Sequence, residues 1–358
     1  MLDQLLQVSD RTEIWWDALP STHAARGSRS GFRDPDEPSN GLLTGSTSNW
    51  CRILDAIMAD RPRWEGIARS AGDGHFEAVC LEALRYEAAI LHPLWERSEG
   101  RHGWVCAQLP PTIAYDEAAM IGSGRRYAAV APNVMVKVPA SAAGIGAVEM
   151  LTAHGVATNA TLSFSVAQAI AGLEAVRRGL VRRGGTPPRW RAVHSFMAAR
   201  LGRESAFADE ARAGGVTLDR NAIRGAEMAV FNRIHHMLTG PDMPLTVLLC
   251  SIQIDDDRCP HLEQATGASA VITLTPSLLA ELERLPVRPW AASVLPSRDV
   301  MAQLMTLPYF RAAYEPGGLA PDAFGSQPAF VAGLAEQHRA YNAGVEWAAA
   351  VRAGRYAA

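Results

Sequence analysis

Short apolar runs alternate with longer amphipathic stretches along most of the chain, which is the pattern of repeating βα units. Each run is short enough for a strand and is bounded by turn-forming residues. The runs predict eight strands, at Glu13–Trp16, Leu42–Thr47, Trp104–Leu109, Val134–Val138, Val156–Leu162, Ala192–Phe196, Leu245–Ser251 and Ala268–Leu274.

Between the strands, apolar residues recur at three- and four-residue spacing, which predicts helices at Arg52–Asp60, Phe76–Arg97, Ser165–Arg182, Asn221–Leu238 and Pro276–Leu285. The simplest α/β architecture is a single (β/α)8 TIM barrel over about residues 12–290, within one domain of 358 residues. The remainder, 291–358, predicts a C-terminal helical extension with a long helix at Ala329–Ala353. That helix either caps the site or packs on the barrel wall. Two polar, glycine- and proline-rich stretches, 21–40 and 315–327, are expected to be irregular.

Composition removes several classes of function. The net charge of −3 and the absence of a Lys/Arg block argue against a nucleic-acid partner. No apolar run reaches the roughly 20 residues of a membrane helix, and no secretory leader is evident, so we expect no membrane association and a cytoplasmic location. Five cysteines without CxxC spacing, and histidines without HExxH spacing, predict neither a metal nor any other cofactor.

Lys137 is the only lysine among 34 basic residues. Arginine serves wherever only a positive charge is needed, but its guanidinium stays protonated and is not a nucleophile. Lys137 stands near the end of an apolar strand, where partial desolvation disfavours the ammonium form and frees an amine to attack a carbonyl. We therefore predict that Lys137 forms a Schiff base.

Catalytic groups of such barrels lie at the carboxyl ends of the strands. Asp17 ends the first predicted strand and is the best candidate for proton transfer at a lysine imine. Asn49, Asn159 and Thr161 follow two other strands and are expected to orient hydroxyl groups or a water molecule.

Five segments in order resemble the transaldolase family, from about Ile14 to Leu285. They are Thr44–Asn49 (TGSTSN), Pro132–Ala140 (PNVMVKVPA), Gly155–Ser165 (GVATNATLSFS), Ser195–Arg200 (SFMAAR) and Thr275–Leu279 (TPSLL).

The resemblance implies a barrel that moves a three-carbon dihydroxyacetone unit from a ketose phosphate to an aldose, in carbohydrate metabolism such as the pentose phosphate pathway. It makes Lys137 the imine former and Asp17 the acid/base. It assigns the dihydroxyacetone hydroxyls to Asn49 and Asn159, and a catalytic water to Thr161. Ser195 and Arg200 would bind the substrate and its phosphate.

Four positions depart from the family pattern. Gln108 stands where transaldolases usually have a glutamate that relays protons, and related fructose-6-phosphate aldolases also have glutamine there. Ser251 keeps its place in the phosphate site, but Gln253 replaces the arginine two residues later, which would cost roughly 1.5–3 kcal/mol of phosphate binding. Met197 replaces an aromatic residue and Trp50 a proline, and both are expected to reshape the pocket.

Three hypotheses remain open: a transaldolase-type transferase with a specialised substrate, a class I aldolase that releases a free ketone, and a catalytically silent binding protein. The expected partners are small-molecule sugars or sugar phosphates. Self-association into a homo-oligomer, a habit of the family, is left open.

Overall fold

The computed structural model describes residues 12–22, 30–34, 36, 41–71, 75–240, 242–285 and 294–355. Eight strands are present, each at the predicted place. Their bounds are β1 Thr12–Asp17, β2 Leu43–Thr47, β3 Trp104–Gln108, β4 Val134–Pro139, β5 Thr158–Thr161, β6 Ala192–Met197, β7 Thr246–Cys250 and β8 Ala270–Leu274.

The strands form a closed barrel in sequence order, and every pairing is parallel, including that of β1 with β8. The predicted (β/α)8 fold is confirmed. In the register, Lys137 of β4 lies between Gln108 of β3 and Asn159 of β5. Because neighbours in register face the same side of a sheet, these three side chains belong to one layer.

Alternation along β1 explains how the interior is filled. Glu13, Trp15 and Asp17 are two residues apart and share the inward face. Glu13 accepts hydrogen bonds from Arg191 at the amino end of the barrel, and Trp15 is fully buried above it. Asp17 emerges at the carboxyl end, where the site lies. The barrel interior is therefore closed by an ion pair at the amino end and by an apolar layer in the middle, and it is open at the carboxyl end.

Helices alternate with the strands and cover the outside of the barrel. Their bounds are α1 Trp50–Ala59, α2 Arg61–Ser70, α3 His75–Arg97, α4 Glu117–Ala128, α5 Ala142–Ala153, α6 Val166–Arg183, α7 Ala198–Arg203, α8 Ser205–Ala213, α9 Arg220–Leu238, α10 Pro260–Ala265, α11 Pro276–Arg284, α12 Arg298–Leu304, α13 Pro308–Tyr314 and α14 Pro328–Arg352. The five predicted helices are confirmed within about two residues at each end.

The long C-terminal helix α14 packs against α1, α2 and α3. Trp347 joins a separate apolar cluster with Trp50 and Phe76. Gly344 is required there, because a Cβ at this position would lie 2.1 Å from the Phe76 ring. The expectation of a helix on the barrel wall is met, and the same helix also reaches the site, as described below.

Several expectations fall partly outside the described residues, namely the start of the chain, most of 21–40 and the barrel boundary near 290. Within the stretch 315–327, Pro321–Ser326 form a 3-10 helix. Among the helices that the structure describes, none combines the length and the apolar character needed to cross a bilayer.

Candidate active site

A cavity of about 500 Å³ opens at the carboxyl ends of the strands. Nine of the eleven predicted site residues line it: Asp17, Asn49, Gln108, Lys137, Thr161, Met197, Arg200, Ser251 and Gln253. The sequence therefore located the cavity, although these residues come from seven different strand ends or the loops after them.

Lys137 is 7% exposed at the base of the cavity. Its Nζ donates a 3.0 Å hydrogen bond to Thr47 Oγ1 and a 2.9 Å bond to the backbone oxygen of Ser48. Both acceptors lie at the carboxyl end of β2, since Thr47 is the last residue of that strand and Ser48 directly follows it. The predicted desolvated position is confirmed, and these two bonds fix the direction in which the amine points.

Asp17 shares the cavity with Lys137. Burial raises the pKa of the Asp17 carboxyl above its ordinary value, while the positive charges of Lys137 and Arg52 act in the opposite direction. A carboxyl with a raised pKa exchanges a proton with a substrate hydroxyl more readily than an ordinary aspartate does. The lysine amine and a carboxyl with a raised pKa thus line one cavity.

Asn159 and Ser195 are the two predicted residues that do not line the cavity. Both are buried, and Ser195 Oγ donates a 2.8 Å hydrogen bond to Asn159 Oδ1. The Asn159 amide donates to Cys106 Sγ at 3.5 Å. The pair therefore lies in the layer next to Lys137, behind the cavity wall.

Asn49 and Gln108 have different surroundings. Asn49 Oδ1 accepts a 3.2 Å hydrogen bond from the Arg52 backbone N–H and so caps α1. Its amide nitrogen remains for a ligand. Gln108 is buried, and among the described residues its amide makes a single long contact, of 3.5 Å to the Lys137 backbone oxygen. Its polar group is therefore available to the cavity.

Two non-glycine residues on the cavity wall have left-handed backbone conformations. Leu162 has φ 54° and Ser251 has φ 57°. Leu162 directly follows β5, which accounts for the strand ending one residue earlier than predicted. Such conformations cost on the order of 1–3 kcal/mol and concentrate at functional sites.

A family model described as Transaldolase/Fructose-6-phosphate aldolase matches residues 38–307. The chain belongs to this family. A transaldolase of Thiobacillus denitrificans is 35% identical over 51% of this chain and 53% of its own length. Transaldolase 1 of Streptomyces avermitilis is 31% identical over 63% of this chain and 60% of its own length. The matched region spans about half of the length of these relatives.

The anion-binding end of the cavity differs from what the transaldolase resemblance implied. Arg200, from the short helix α7, directs both terminal nitrogens at Glu336 of α14. Nη1 donates to Oε1 at 2.9 Å, and Nη2 donates to Oε2 in a shorter contact. This pairing raises the pKa of Arg200 and lowers that of Glu336.

Gln253 is also engaged within the protein. Its side-chain oxygen accepts a 2.5 Å hydrogen bond from Arg224 Nη2. Arg224 is held in turn by Asp255 and by the fully buried Glu227. The arginine that the transaldolase pattern places at 253 is thus absent, and the arginine that approaches from α9 is neutralised by two carboxylates.

Sequence reasoning missed several polar residues of the site, among them Arg52, Arg203 and Gln337, which line the cavity, and Glu336, which pairs with the cavity residue Arg200. Arg52 and Arg203 each follow a predicted residue, Asn49 or Arg200, by three positions, a spacing that places them on the same side of a helix. That signal was available. Glu336 and Gln337 belong to α14. Each is more than 130 residues from its partner, Arg200 or Trp50, so no local sequence pattern predicts them.

Trp50 corrects one expectation. It does not line the cavity and so does not reshape the pocket directly. Its ring is buried against Tyr341 of α14, with centroids 4.7 Å apart. Its Nε1 donates to the Leu109 backbone oxygen at 2.9 Å. Met197, by contrast, lies on the cavity wall as expected.

Within the described ranges, no three His, Cys, Asp or Glu side chains lie together in a group that could hold a metal ion. All five cysteines are free thiols, and four of them are buried.

Proposed function

We propose that this protein is a transaldolase-type enzyme, which moves a dihydroxyacetone unit from a ketose to an aldehyde acceptor through a Schiff base on Lys137. The observation that carries the proposal is the placement of the only lysine, buried at the end of β4, in one cavity with Asp17. The family of the chain supports the same chemistry.

The cycle begins when the Lys137 amine attacks the C2 carbonyl of the ketose and water leaves, which gives an iminium ion. The C3–C4 bond then breaks as the Asp17 carboxylate takes the proton of the C4 hydroxyl. The bonding electrons move into the iminium, so an enamine remains on Lys137 and an aldehyde departs. The enamine attacks the acceptor aldehyde, Asp17 returns its proton to the new alkoxide, and hydrolysis frees the amine.

The cavity residues have distinct parts in this cycle. Thr47 and Ser48 orient the amine through their bonds to Nζ. Thr161 and Gln108 hold the water that leaves and re-enters, and the amide of Asn49 binds a ketose hydroxyl. Asn159 and Ser195 position the layer behind Lys137. Met197 and Ser251 line the wall on which the rest of the substrate lies.

Gln108 favours a second candidate, an aldolase that releases free dihydroxyacetone. A glutamine binds water but cannot ionise. It therefore cannot relay protons while the imine forms and is hydrolysed, as a glutamate can. The two activities separate in one assay. Transfer requires an aldehyde acceptor for turnover, whereas an aldolase releases free ketone steadily without one.

Borohydride trapping tests the Schiff base that both enzymatic hypotheses require. Reduction of the protein with a ketose should add the mass of the ketose less one oxygen, read on the intact chain. The adduct should be absent in Lys137→Ala and Lys137→Arg. If neither ketoses nor keto acids give a lysine-dependent adduct, a catalytically silent binding protein is the better explanation.

A further inference from the structure

The Arg200 guanidinium has five N–H donors, and two of them, one on each terminal nitrogen, are used inside the protein. A bidentate contact of this kind is the geometry in which arginine binds a carboxylate or a phosphate. Here the carboxylate is Glu336 of α14, and it occupies both terminal nitrogens at once. A phosphate oxygen that approached Arg200 from the cavity would compete with a negative charge already in place.

The other positively charged groups at this end do not replace Arg200. Gln253 has no charge, and its oxygen is already bound by Arg224. Arg224 is paired with Asp255 and Glu227. Arg203 lines the cavity without a hydrogen bond or salt bridge to any described residue, but it is one exposed cation, and the carboxylate of Glu281 lines the same cavity. Arg52, another lining residue, is paired with Asp55. Carboxylates therefore offset most of the positive charge around the cavity.

We propose that Glu336 is a specificity-determining residue that occupies the phosphate position on Arg200, so that the preferred substrate ends in a neutral hydroxyl group. This proposal rests on the proposed function for the identity of the substrate as a sugar. Glu336 supplies the negative charge that a phosphorylated sugar would otherwise bring. A neutral polyhydroxylated chain end in the cavity fits beside Arg200 and accepts hydrogen bonds from the guanidinium N–H groups that Glu336 does not use.

The position of Glu336 depends on how α14 is attached. The next residue, Gln337, accepts the Trp50 backbone N–H at 2.8 Å, and a prolyl residue at 50 would have no such donor. Gly333, one turn earlier, faces Leu162 on the cavity wall, and a Cβ there would lie 2.9 Å from Leu162 Cδ2. Close packing on both sides of Glu336 holds its carboxylate over Arg200.

Binding of inorganic phosphate to the full chain tests the proposal without any turnover. Titration calorimetry at fixed ionic strength should give weak binding for the wild type and binding at least about tenfold tighter for Glu336→Gln, which is about 1.4 kcal/mol. The isosteric amide keeps a hydrogen bond to Arg200 while removing the charge. Glu346→Gln is the matched control, because it makes the same change at an exposed position of the same helix and should leave phosphate binding unchanged.

Two further variants separate this role from a structural one. Glu336→Asp retains the charge and should stay closer to the wild type than Glu336→Gln does. The double variant Arg200→Gln/Glu336→Gln should lose the gain. Phosphate binding that is equal or weaker in Glu336→Gln would overturn the proposal, as would a gain that survives without Arg200. If Glu336→Gln does not fold, Glu336→Ala, which also removes the charge, is compared with the wild type in the same titration, and equal or weaker phosphate binding again overturns the proposal.

Substrate preference gives a second measurement. Fructose and fructose 6-phosphate differ only at the chain end, so their half-saturation concentrations in borohydride trapping can be compared. In Glu336→Gln, the half-saturation concentration of fructose 6-phosphate should fall about tenfold relative to that of fructose. An unchanged ratio of the two concentrations contradicts the proposal. Failure of both sugars to trap in every variant would count against the Schiff-base function, whereas the phosphate titration would still decide the role of Glu336.

Discussion

The backbone N–H of Trp50 donates a 2.8 Å hydrogen bond to the side-chain oxygen of Gln337, 287 residues further along the chain. Trp50 begins the helix after β2, and Gln337 lies in the middle of α14 and on the wall of the cavity. This bond therefore attaches the C-terminal helix to the end of the barrel where Lys137 and Asp17 meet.

Gln337→Met should weaken the attachment of α14. Methionine has a similar volume but no comparable acceptor, so the buried Trp50 N–H would lose its partner at a cost of about 1–3 kcal/mol. Chemical denaturation measures the loss, and the half-saturation concentration of the ketose should rise at the same time. The control Gln303→Met changes an exposed glutamine of α12 and should stay within about 0.5 kcal/mol of wild type. Equal stability of both variants would contradict the role of the bond.

Asp17→Asn should lower kcat by roughly 10²- to 10⁴-fold, because asparagine cannot take the proton of the cleaved hydroxyl. In the wild type the carboxylate is the active form at the start of the cycle. Since the folded-state pKa of Asp17 is raised, activity should fall with decreasing pH at values above the ordinary 3.8. A pH profile of kcat should show this acidic limb in the wild type, and the residual activity of Asp17→Asn should lack it. An identical limb in both proteins would assign the titration to another group.

Gln108→Glu should move the products towards transfer. A carboxyl at this place, level with Lys137 in the register, can relay protons between the bound water and the imine. The ratio of transferred product to free dihydroxyacetone should rise relative to the wild type, measured with one ketose and one aldehyde acceptor. Gln303→Glu introduces the same charge at the surface and should leave the ratio unaltered. A ratio that stays constant in Gln108→Glu would show that residue 108 does not set the partition.

His194 should make the fold sensitive to acid. It is buried on β6, its Nε2 contacts Ser163 Oγ at 2.8 Å, and burial lowers its pKa from 6.5 to about 4. The unfolded chain binds a proton below about pH 6.5, but the folded chain does not until about pH 4. Stability is therefore retained above pH 6.5 and is lost as the pH falls, by roughly 3 kcal/mol in total at this residue.

Denaturation of His194→Gln between pH 7 and 4 measures this contribution. Glutamine keeps a polar group towards Ser163 but does not titrate, so the variant should lose less stability on acidification than the wild type. His154→Gln, at an exposed position in a hydrogen bond to Met150, should retain the wild-type dependence. A wild-type slope in His194→Gln would place the acid sensitivity elsewhere.

The elements of the barrel could be predicted because their signals are local. Short apolar runs, such as Val134–Val138, mark each strand, because both faces of a barrel strand are buried. Helical spacing of apolar residues marks the covering layer, and the carboxyl ends of the strands give the location of the cavity. Lys137 needed no tertiary information, since a single lysine in an apolar strand is informative by itself.

Trp50 acts on the pocket indirectly, through its bond to Gln337, and not as part of the cavity wall. A change of residue beside Asn49 suggested a change in the pocket, but the backbone turns at the start of α1 and directs the indole away from the cavity, towards α14. The orientation of a side chain at a helix start depends on what packs over it, and Tyr341 lies far away in the sequence.

The sequence alone determined the class of fold and the residue proposed as the nucleophile, because hydrophobic periodicity and residue chemistry act over a few neighbouring positions. Only the tertiary structure decided which charges meet. Arg200 is paired with a carboxylate 136 residues away, and Gln253 is bound by an arginine 29 residues before it. Salt bridges between distant segments leave no periodic trace, since each partner alone is an ordinary charged residue on a helix.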